Sequence, residues 1–133
     1  MAGLDTNVLV RWLLVDDETH TQRARKVFEA AASRASALFV PSTVVLELEW
    51  VLRSRYQLDK AVVLQAFTAL LETQELKFQA EEALERALHA YRLSSADFAD
   101  CLHAGLCVAA GWAPLLTFDE KAARLAGIEL MPA

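Results

Sequence analysis

Residues 1–11, MAGLDTNVLVR, place an aspartate at the end of a short apolar stretch. We predict that a first strand ends at Leu4 and Asp5. Asp5, Thr6 and Asn7 then cap a helix over residues 8–14, because short oxygen-bearing side chains accept hydrogen bonds from free N–H groups at a helix start. A carboxylate beside a buried strand costs free energy unless something compensates its charge. The triplet is therefore either a helix cap alone or part of a site facing a cleft.

The rest of the chain alternates short apolar runs with longer amphipathic segments. Further helices are predicted over residues 18–33, 43–55, 59–72, 80–92, 96–110 and 119–126, and strands over 37–40, 75–78, 114–117 and 128–131. This alternation is typical of βαβ units and predicts an α/β fold, with a parallel sheet covered by helices on both faces.

Polar residues and glycines mark several of these boundaries. Asp16, Asp17 and Thr19 indicate the start of the helix over residues 18–33, and Asp59 that of the helix over 59–72. Ser94 and Ser95 are predicted to cap the helix over 96–110, and Gly111 to end it.

The totals favour one globular domain spanning residues 1–133. The chain is 55% hydrophobic, with only 4 Gly and 3 Pro, so it has material for a core and no long flexible linker. We expect no signal peptide and no membrane span, since the apolar stretch 101–118 is interrupted by polar residues, glycine and proline. The two cysteines, Cys101 and Cys107, indicate reduced thiols and predict a cytoplasmic protein.

Five carboxylates lie within or beside apolar segments. Asp5 and Asp119 follow predicted strands, where ligands bind in parallel sheets. Glu47 lies among apolar residues of the helix over 43–55, and Asp97 and Asp100 are three apart on one helix face. Clustered carboxylates repel one another unless a cation lies between them. Oxygen-only clusters suit Mg²⁺ or Mn²⁺, ions that support phosphoryl chemistry.

Each acid also has a purely structural interpretation. Asp5 and Asp119 are typical helix caps, and Asp97 and Asp100 interact favourably with a helix dipole, an effect of roughly 0.3–1 kcal/mol each. Glu47 is then an ordinary exposed residue, although Glu49 two positions later must face a different side. These explanations must all hold at once to account for the whole set.

Four blocks in this order resemble the PIN domain, and more narrowly the VapC toxins of toxin–antitoxin pairs. They are DTNVLVRWL, VLELEWVL, DFADCLHAGL and LLTFDEKAARLAGIEL, and they span nearly the whole chain. The resemblance implies a three-layer α/β/α sandwich with a short parallel central sheet. It also implies a Mg²⁺- or Mn²⁺-dependent endoribonuclease that cleaves tRNA or other structured RNA.

The resemblance assigns roles to individual residues. Asp5, Glu47, Asp100 and Asp119 match the family's catalytic, metal-holding acids, and Asp97 is an additional acid beside them. Thr6, Asn7 and Thr117 match polar residues that support the acids or the water that attacks. His103, one helical turn from Asp100, is interpreted as a structural polar residue.

The net charge of −5, from 13 Lys and Arg against 18 Asp and Glu, is the wrong sign for binding RNA through bulk charge. RNA must then contact local cations; the candidates are Arg11, Arg53, Arg55 and Lys60. The resemblance further implies a VapB-like antitoxin partner. A homodimer is also expected, with Trp50, Leu52 and Tyr56 as candidate anchors, of which at least half are expected to be core.

Three other functions remain open at this stage. A haloacid-dehalogenase-like phosphatase also carries an aspartate on its first strand, but it needs an acid two residues later, where this chain has Asn7. A catalytically silent PIN-like module that only binds a partner is the main alternative. A receiver-type regulatory domain is disfavoured because no phospho-acceptor pocket with a matching lysine is recognisable.

Overall fold

The computed structural model describes residues 2–14 and 18–133. The chain divides into two compact units, Met1–Gln79 and Ala80–Ala133, each with its own helices and its own parallel sheet. The predicted helix-start residues Asp16 and Asp17 lie outside the described residues. The prediction that residues 1–133 form a single domain stays a prediction.

The first unit contains three strands joined by helical crossovers. Its strands are β1 (Ala2–Gly3), β2 (Leu38–Val40) and β3 (Leu76–Phe78), and its helices are α1 (Thr6–Leu13), α2 (Glu18–Ser33), α3 (Ser42–Trp50) and α4 (Lys60–Leu71). A π-helical turn, Val51–Arg55, directly continues α3. Each strand therefore leads into helices before the next strand begins, as the alternating pattern predicts.

The strands of the first unit pair in parallel in the order β1-β2-β3. Ala2 is in register with Leu38, and Leu38 with Leu76. The carboxyl ends of β1 and β2 therefore lie at the same edge, and the chain leaves that edge at Asp5 and at Pro41. This arrangement brings the starts of α1 and α3 to one edge of the sheet.

The core of the first unit is built from fully buried aliphatic and aromatic side chains, notably Leu9, Leu48, Leu52, Phe67 and Leu70. Leu48 and Leu52, four residues apart, continue one apolar face from α3 into the π-helical turn. Between α1 and α2, the rings of Trp12 and Phe28 stack in parallel with centroids 4.0 Å apart.

The second unit consists of two helices and a two-stranded sheet. Its helices are α5 (Glu81–Leu93) and α6 (Phe98–Ala110), and its strands are β4 (Leu115–Thr117) and β5 (Ile128–Leu130), which run parallel. Helices α5 and α6 approach closely at Gly105, where a Cβ atom would stand 2.6 Å from the backbone oxygen of Ala83. Gly111 ends α6 with φ of 79°, as predicted for a glycine C-cap.

Two predicted helix features are wrong, and the helix predicted over residues 43–55 is present but is not α-helical throughout. Residues 119–126 form only a short 3₁₀ turn, Ala122–Arg124, in place of a helix. The α-helical part of residues 43–55 ends at Trp50, where the π-helical turn begins. The residue at the N-cap of α6 is Asp97; Ser94 instead donates to the carbonyl of Ala90 and accepts from the backbone N–H of Ala96.

Within residues 2–14 and 18–133, no helix combines the length and the apolar character needed to cross a bilayer. Parallel strands connected through helices confirm the α/β class predicted from the sequence.

Candidate active site

Asp5 occupies the N-cap of α1, immediately after the first strand. Its Oδ1 atom accepts hydrogen bonds from the backbone N–H groups of Asn7, at 3.1 Å, and Val8, at 3.4 Å. The predicted cap is thus confirmed, and Asp5 alone supplies it. Thr6 and Asn7, predicted to share this role, are the first two helical residues instead.

Thr6 connects the start of α1 to the second acid of the first unit. Its hydroxyl group donates a hydrogen bond to Oε1 of Glu47 on α3. The Thr6 side chain is buried, whereas Glu47 is exposed, so the contact fixes one oxygen of a carboxylate at the surface. This geometry matches a supporting role of Thr6 toward an acid.

A cavity of about 230 Å³ lies beside this pair of acids. It is lined by Asp5, Thr6, Asn7, Glu47, Trp50, Val51 and Arg55. The first unit therefore collects two predicted acids and both of their predicted polar neighbours around one space.

For the metal-dependent ribonuclease that the sequence resemblance implies, replacing Thr6 by valine should reduce RNA cleavage by about tenfold, because removal of a side chain that orients a metal-binding carboxylate typically has effects of this size. The valine has nearly the same shape but cannot donate to Glu47, so the loss should appear in kcat rather than KM. Thr6→Ser should retain most of the activity.

Thr68→Val provides the matched control, since Thr68 donates a hydrogen bond to the carbonyl of Leu64 within α4. The two valine variants should be compared by steady-state kinetics on one RNA. Equal activity in Thr6→Val and Thr68→Val would show that the contact between Thr6 and Glu47 has no functional role.

The second unit collects the other three acids. Asp97 is the N-cap residue of α6, without a side-chain capping hydrogen bond, and Asp100 lies in the first turn of that helix. Asp119 follows β4. Asp97 and Asp119 are exposed and Asp100 is half-buried.

The electrostatics of Asp100 show how close these charges are. Partial burial raises the pKa of the Asp100 carboxyl above its usual range, and the negative charges of Asp97 and Asp119 raise this pKa further. The neighbouring His103 acts in the opposite direction. Three acids of the second unit thus interact through space, and the resulting repulsion favours either a proton or a cation at Asp100.

Replacing Asp97 by asparagine should lower the pKa of Asp100 in metal-free protein, because it removes a neighbouring negative charge. His103→Ala should raise this pKa, since the electrostatic effect of His103 lowers it. Both shifts are measurable by NMR titration of the Asp100 carboxyl carbon. An unchanged pKa in both variants would contradict the electrostatic grouping of these residues.

Asp119 is held by the turn that follows β4. Its Oδ1 atom accepts hydrogen bonds from the backbone N–H groups of Lys121, at 2.8 Å, and Ala122, at 3.3 Å. The hydroxyl oxygen of Thr117 accepts from the backbone N–H of Asp119 at 3.0 Å. Thr117 therefore fixes the backbone that carries the acid, a geometry that matches its predicted supporting role.

Capping and ligand binding are compatible at Asp5 and Asp119. In both side chains Oδ1 takes the backbone hydrogen bonds, and Oδ2 accepts none from the part of the chain that the structure describes. The cap fixes the orientation of the carboxylate while its second oxygen remains available. The role of these two residues as caps is therefore compatible with a role as metal ligands.

The donor set fits a hard divalent cation. All the acids offer oxygen ligands, and the crowded charge at Asp100 is of the kind that a cation relieves. Within residues 2–14 and 18–133, no group of three or more His, Cys, Asp and Glu side chains is arranged to hold a metal ion. Mg²⁺ often takes only one or two protein carboxylates and completes its shell with water, so fewer side chains suffice.

The candidate RNA-binding arginines differ in their surroundings. Arg53 pairs with the buried Glu49, with Nε and Oε2 2.8 Å apart, so its guanidinium also neutralises an internal charge. Arg11 lines a separate cavity of about 400 Å³ between α1 and α2, together with His20 and Arg23. Arg55 lines the cavity that contains Asp5 and Glu47. The spacing of four residues between Glu49 and Arg53 was a signal for their pairing that the sequence analysis did not use.

Comparison with known proteins identifies the class of this fold. The family model described as "PIN domain" matches residues 3–128. The chain therefore belongs to the PIN domain family, and the PIN-like fold class predicted from the sequence is confirmed.

One similar protein is named more specifically. A protein of Aquifex aeolicus (strain VF5), named "VapC ribonuclease", is 23% identical over 125 residues, which cover 94% of this chain and 92% of that protein. The similarity extends along nearly the full length of both chains. Together with the family match, it confirms the resemblance to VapC-like PIN domains.

Proposed function

We propose that this protein is a metal-dependent endoribonuclease and the toxin of a toxin–antitoxin pair. The observation that carries the proposal is the grouping of the predicted acids: Asp5 and Glu47 line one cavity of the first unit, and Asp97 and Asp119 act electrostatically on Asp100 in the second unit. The family match and the named relative support the same class of activity. The proposed substrate is tRNA or another structured RNA.

The proposed catalytic residues are Asp5 and Glu47 of the first unit and Asp100 and Asp119 of the second. Asp97 is proposed as an accessory ligand that adds negative charge beside Asp100. Thr6, Asn7 and Thr117 are proposed to keep the acids oriented, as the contacts of Thr6 and Thr117 suggest.

Mg²⁺ or Mn²⁺, when bound to these carboxylates, would supply Lewis-acid stabilisation of phosphate charge and lower the pKa of water. The residues of the chain contribute the fixed geometry. Asp5 and Asp119 are oriented by backbone N–H groups before any ligand arrives, and Thr6 holds one oxygen of Glu47. Such preorganisation removes part of the entropic barrier to positioning the scissile phosphate.

The overall reaction adds water across one phosphodiester linkage. The oxygen of water forms a bond to phosphorus, the bond from phosphorus to the leaving oxygen breaks, and a proton of the water ends on that leaving oxygen. Because no cysteine or lysine nucleophile lies among the predicted site residues, direct attack by water is the proposed route. The ionised carboxylates are the forms required to neutralise a cation and position the water.

The test is the cleavage of a mixture of total tRNA and other structured RNA with Mg²⁺, with Mn²⁺ and with EDTA. Discrete cuts that require a divalent ion would support the proposal. The main alternative is a catalytically silent module that binds a partner. Intact RNA under every condition, together with retained binding to an antitoxin, would favour that alternative.

The proposed partners are a VapB-like antitoxin and a second copy of the chain, and the proposed location is the cytoplasm. Of the three candidate anchors, Leu52 is fully buried and belongs to the core, as expected for at least half of them, so it is not available to a partner. Trp50 remains half exposed. Sedimentation of the isolated chain should show a dimer; a monomer at every concentration would remove the dimer from the proposal.

A further inference from the structure

The π-helical turn after α3 changes which side chains share a face. In an α-helix, residues five apart are separated by about 140° around the axis, so Trp50 and Arg55 would point to different sides. Here the chain from Val51 to Arg55 forms a wider turn, in which the backbone N–H of Tyr56 donates to the carbonyl of Val51 at 3.2 Å. Trp50 and Arg55 consequently line the same cavity. Such π turns frequently occur at functional sites.

The two side chains have chemistries that suit a nucleotide. The indole of Trp50 is 50% exposed, although it is one of the largest apolar groups of the unit. Nucleotide bases stack on exposed aromatic faces of this kind with little dependence on sequence. Arg55 is exposed, and a guanidinium group binds phosphate through two parallel hydrogen bonds.

Because two acids line this cavity, a phosphate group can bind there only if a cation also lines it. Asp5 and Glu47 both line it, and their carboxylates repel a phosphate that approaches them. Arg55 is the cation on that wall, and within the described ranges 2–14 and 18–133 no acid forms a salt bridge with it. Its charge is thus available to a phosphate beside the acids, in a chain whose net charge of −5 does not attract RNA.

We propose that Trp50 and Arg55 form an RNA-binding wall beside Asp5 and Glu47, where Trp50 stacks on a base and Arg55 pairs with a backbone phosphate. The cavity of about 230 Å³ is smaller than a typical ligand pocket of roughly 300–1,000 Å³, so it would hold only a small part of a longer strand. Neither side chain is a catalytic residue in this proposal; both position the strand. The proposal rests on the proposed ribonuclease function and adds how the substrate is held.

RNA binding by the full-length chain tests the role of Arg55. The probe is a short single-stranded RNA of mixed sequence with a fluorescent label, and every protein carries Asp100→Asn to prevent cleavage. Arg55→Ala should weaken binding by about tenfold and reduce the slope of log K against log salt by about 0.7. Arg34→Ala, which removes the same charge from an exposed position lining neither cavity, should change neither quantity.

Tryptophan fluorescence tests the role of Trp50 directly. In a Trp12→Phe, Trp112→Phe background Trp50 is the sole tryptophan, and stacking on a base should quench its emission as RNA is added. Trp50→Ala should weaken RNA binding by about tenfold, and Trp50→Phe should restore most of it, since stacking needs only an aromatic face. Trp112→Ala, at a position 79% exposed in the other unit, is the matched control.

The outcomes separate this proposal from the function on which it rests. If Arg55→Ala and Trp50→Ala bind RNA as tightly as their controls, and the wild-type chain still cleaves RNA, this wall does not hold the substrate and the ribonuclease assignment stands. If the wild-type chain neither binds nor cleaves RNA, both proposals are wrong. Thermal melts of Arg55→Ala and Trp50→Ala should match that of the parent protein into which each change is introduced, because Arg55 is exposed and Trp50 is half exposed.

Discussion

Replacing Asp100 by asparagine should lower the rate of RNA cleavage by at least about a hundredfold. Changes to residues that merely orient a metal ligand already reduce activity by about 10–100-fold, so loss of a ligand charge should have a larger effect. The substitution keeps the size and shape of the side chain, so the start of α6 should be undisturbed. Single-turnover cleavage with saturating Mg²⁺ measures the effect on the chemical step.

The stability of the Asp100→Asn variant separates catalysis from folding. Because the pKa of Asp100 is raised by burial and by its acidic neighbours, its ionised form is disfavoured in the folded state. Removing that charge should leave the melting temperature of metal-free protein unchanged or higher. Asp59→Asn, at the exposed N-cap of α4, makes the same chemical change elsewhere and should retain full activity. Wild-type activity in Asp100→Asn would overturn its assignment as a catalytic residue.

The largest expected effect on stability is that of Gly105→Val. A Cβ at this position stands 2.6 Å from the backbone oxygen of Ala83, so α5 and α6 must move apart to accept any side chain. Valine adds two further methyl groups and has a poor helix propensity. The free energy of unfolding should fall by about 3 kcal/mol, at the upper end of typical overpacking effects.

Urea denaturation measures this loss, with Ala109→Val as the control. Ala109 lies on the same helix but is exposed, so valine there carries only the propensity cost, below about 1 kcal/mol. If Gly105→Val is no less stable than Ala109→Val, the close approach of the two helices is not a constraint on the fold.

The alternation of strands and helices was predictable because strands buried in a parallel sheet appear as short apolar runs. Residues 119–126 show where local pattern fails. Their sequence, DEKAARLA, favours a helix, but the chain must return within a few residues to place Ile128 beside Leu115 in the parallel sheet. Gly127, with φ of 86°, makes that return. The pairing of the two strands therefore limits the segment to one 3₁₀ turn. Helix propensity depends only on local sequence and does not predict this limit.

The π-helical turn could not be predicted from the sequence either. Residues 43–55 have a continuous helical pattern. This pattern is compatible both with the α-helix, in which residues four apart are hydrogen-bonded, and with the π-helix, in which residues five apart are. With this turn, Arg55 rather than Arg53 lines the cavity with Asp5 and Glu47. Arg53 instead pairs with Glu49, which explains how Glu49 is buried while Glu47 stays exposed.

The acids themselves were recognisable because each interrupts or follows an apolar segment. From the sequence alone, capping and metal binding are alternative roles for Asp5 and Asp119. The structure shows that one oxygen can serve the cap while the other stays available. This sharing depends on side-chain orientation, which spacing along the chain does not determine.

The most direct test of the central claim, that these acids serve a divalent ion, is a calorimetric titration of metal-free protein with Mn²⁺. Wild-type protein and Asp59→Asn should bind Mn²⁺ equally, whereas Asp5→Asn and Asp100→Asn should each lose most of that affinity. Asparagine preserves the helix cap at Asp5, so weaker binding there would report on charge and not on unfolding. Unchanged Mn²⁺ affinity in both Asp5→Asn and Asp100→Asn would contradict the account.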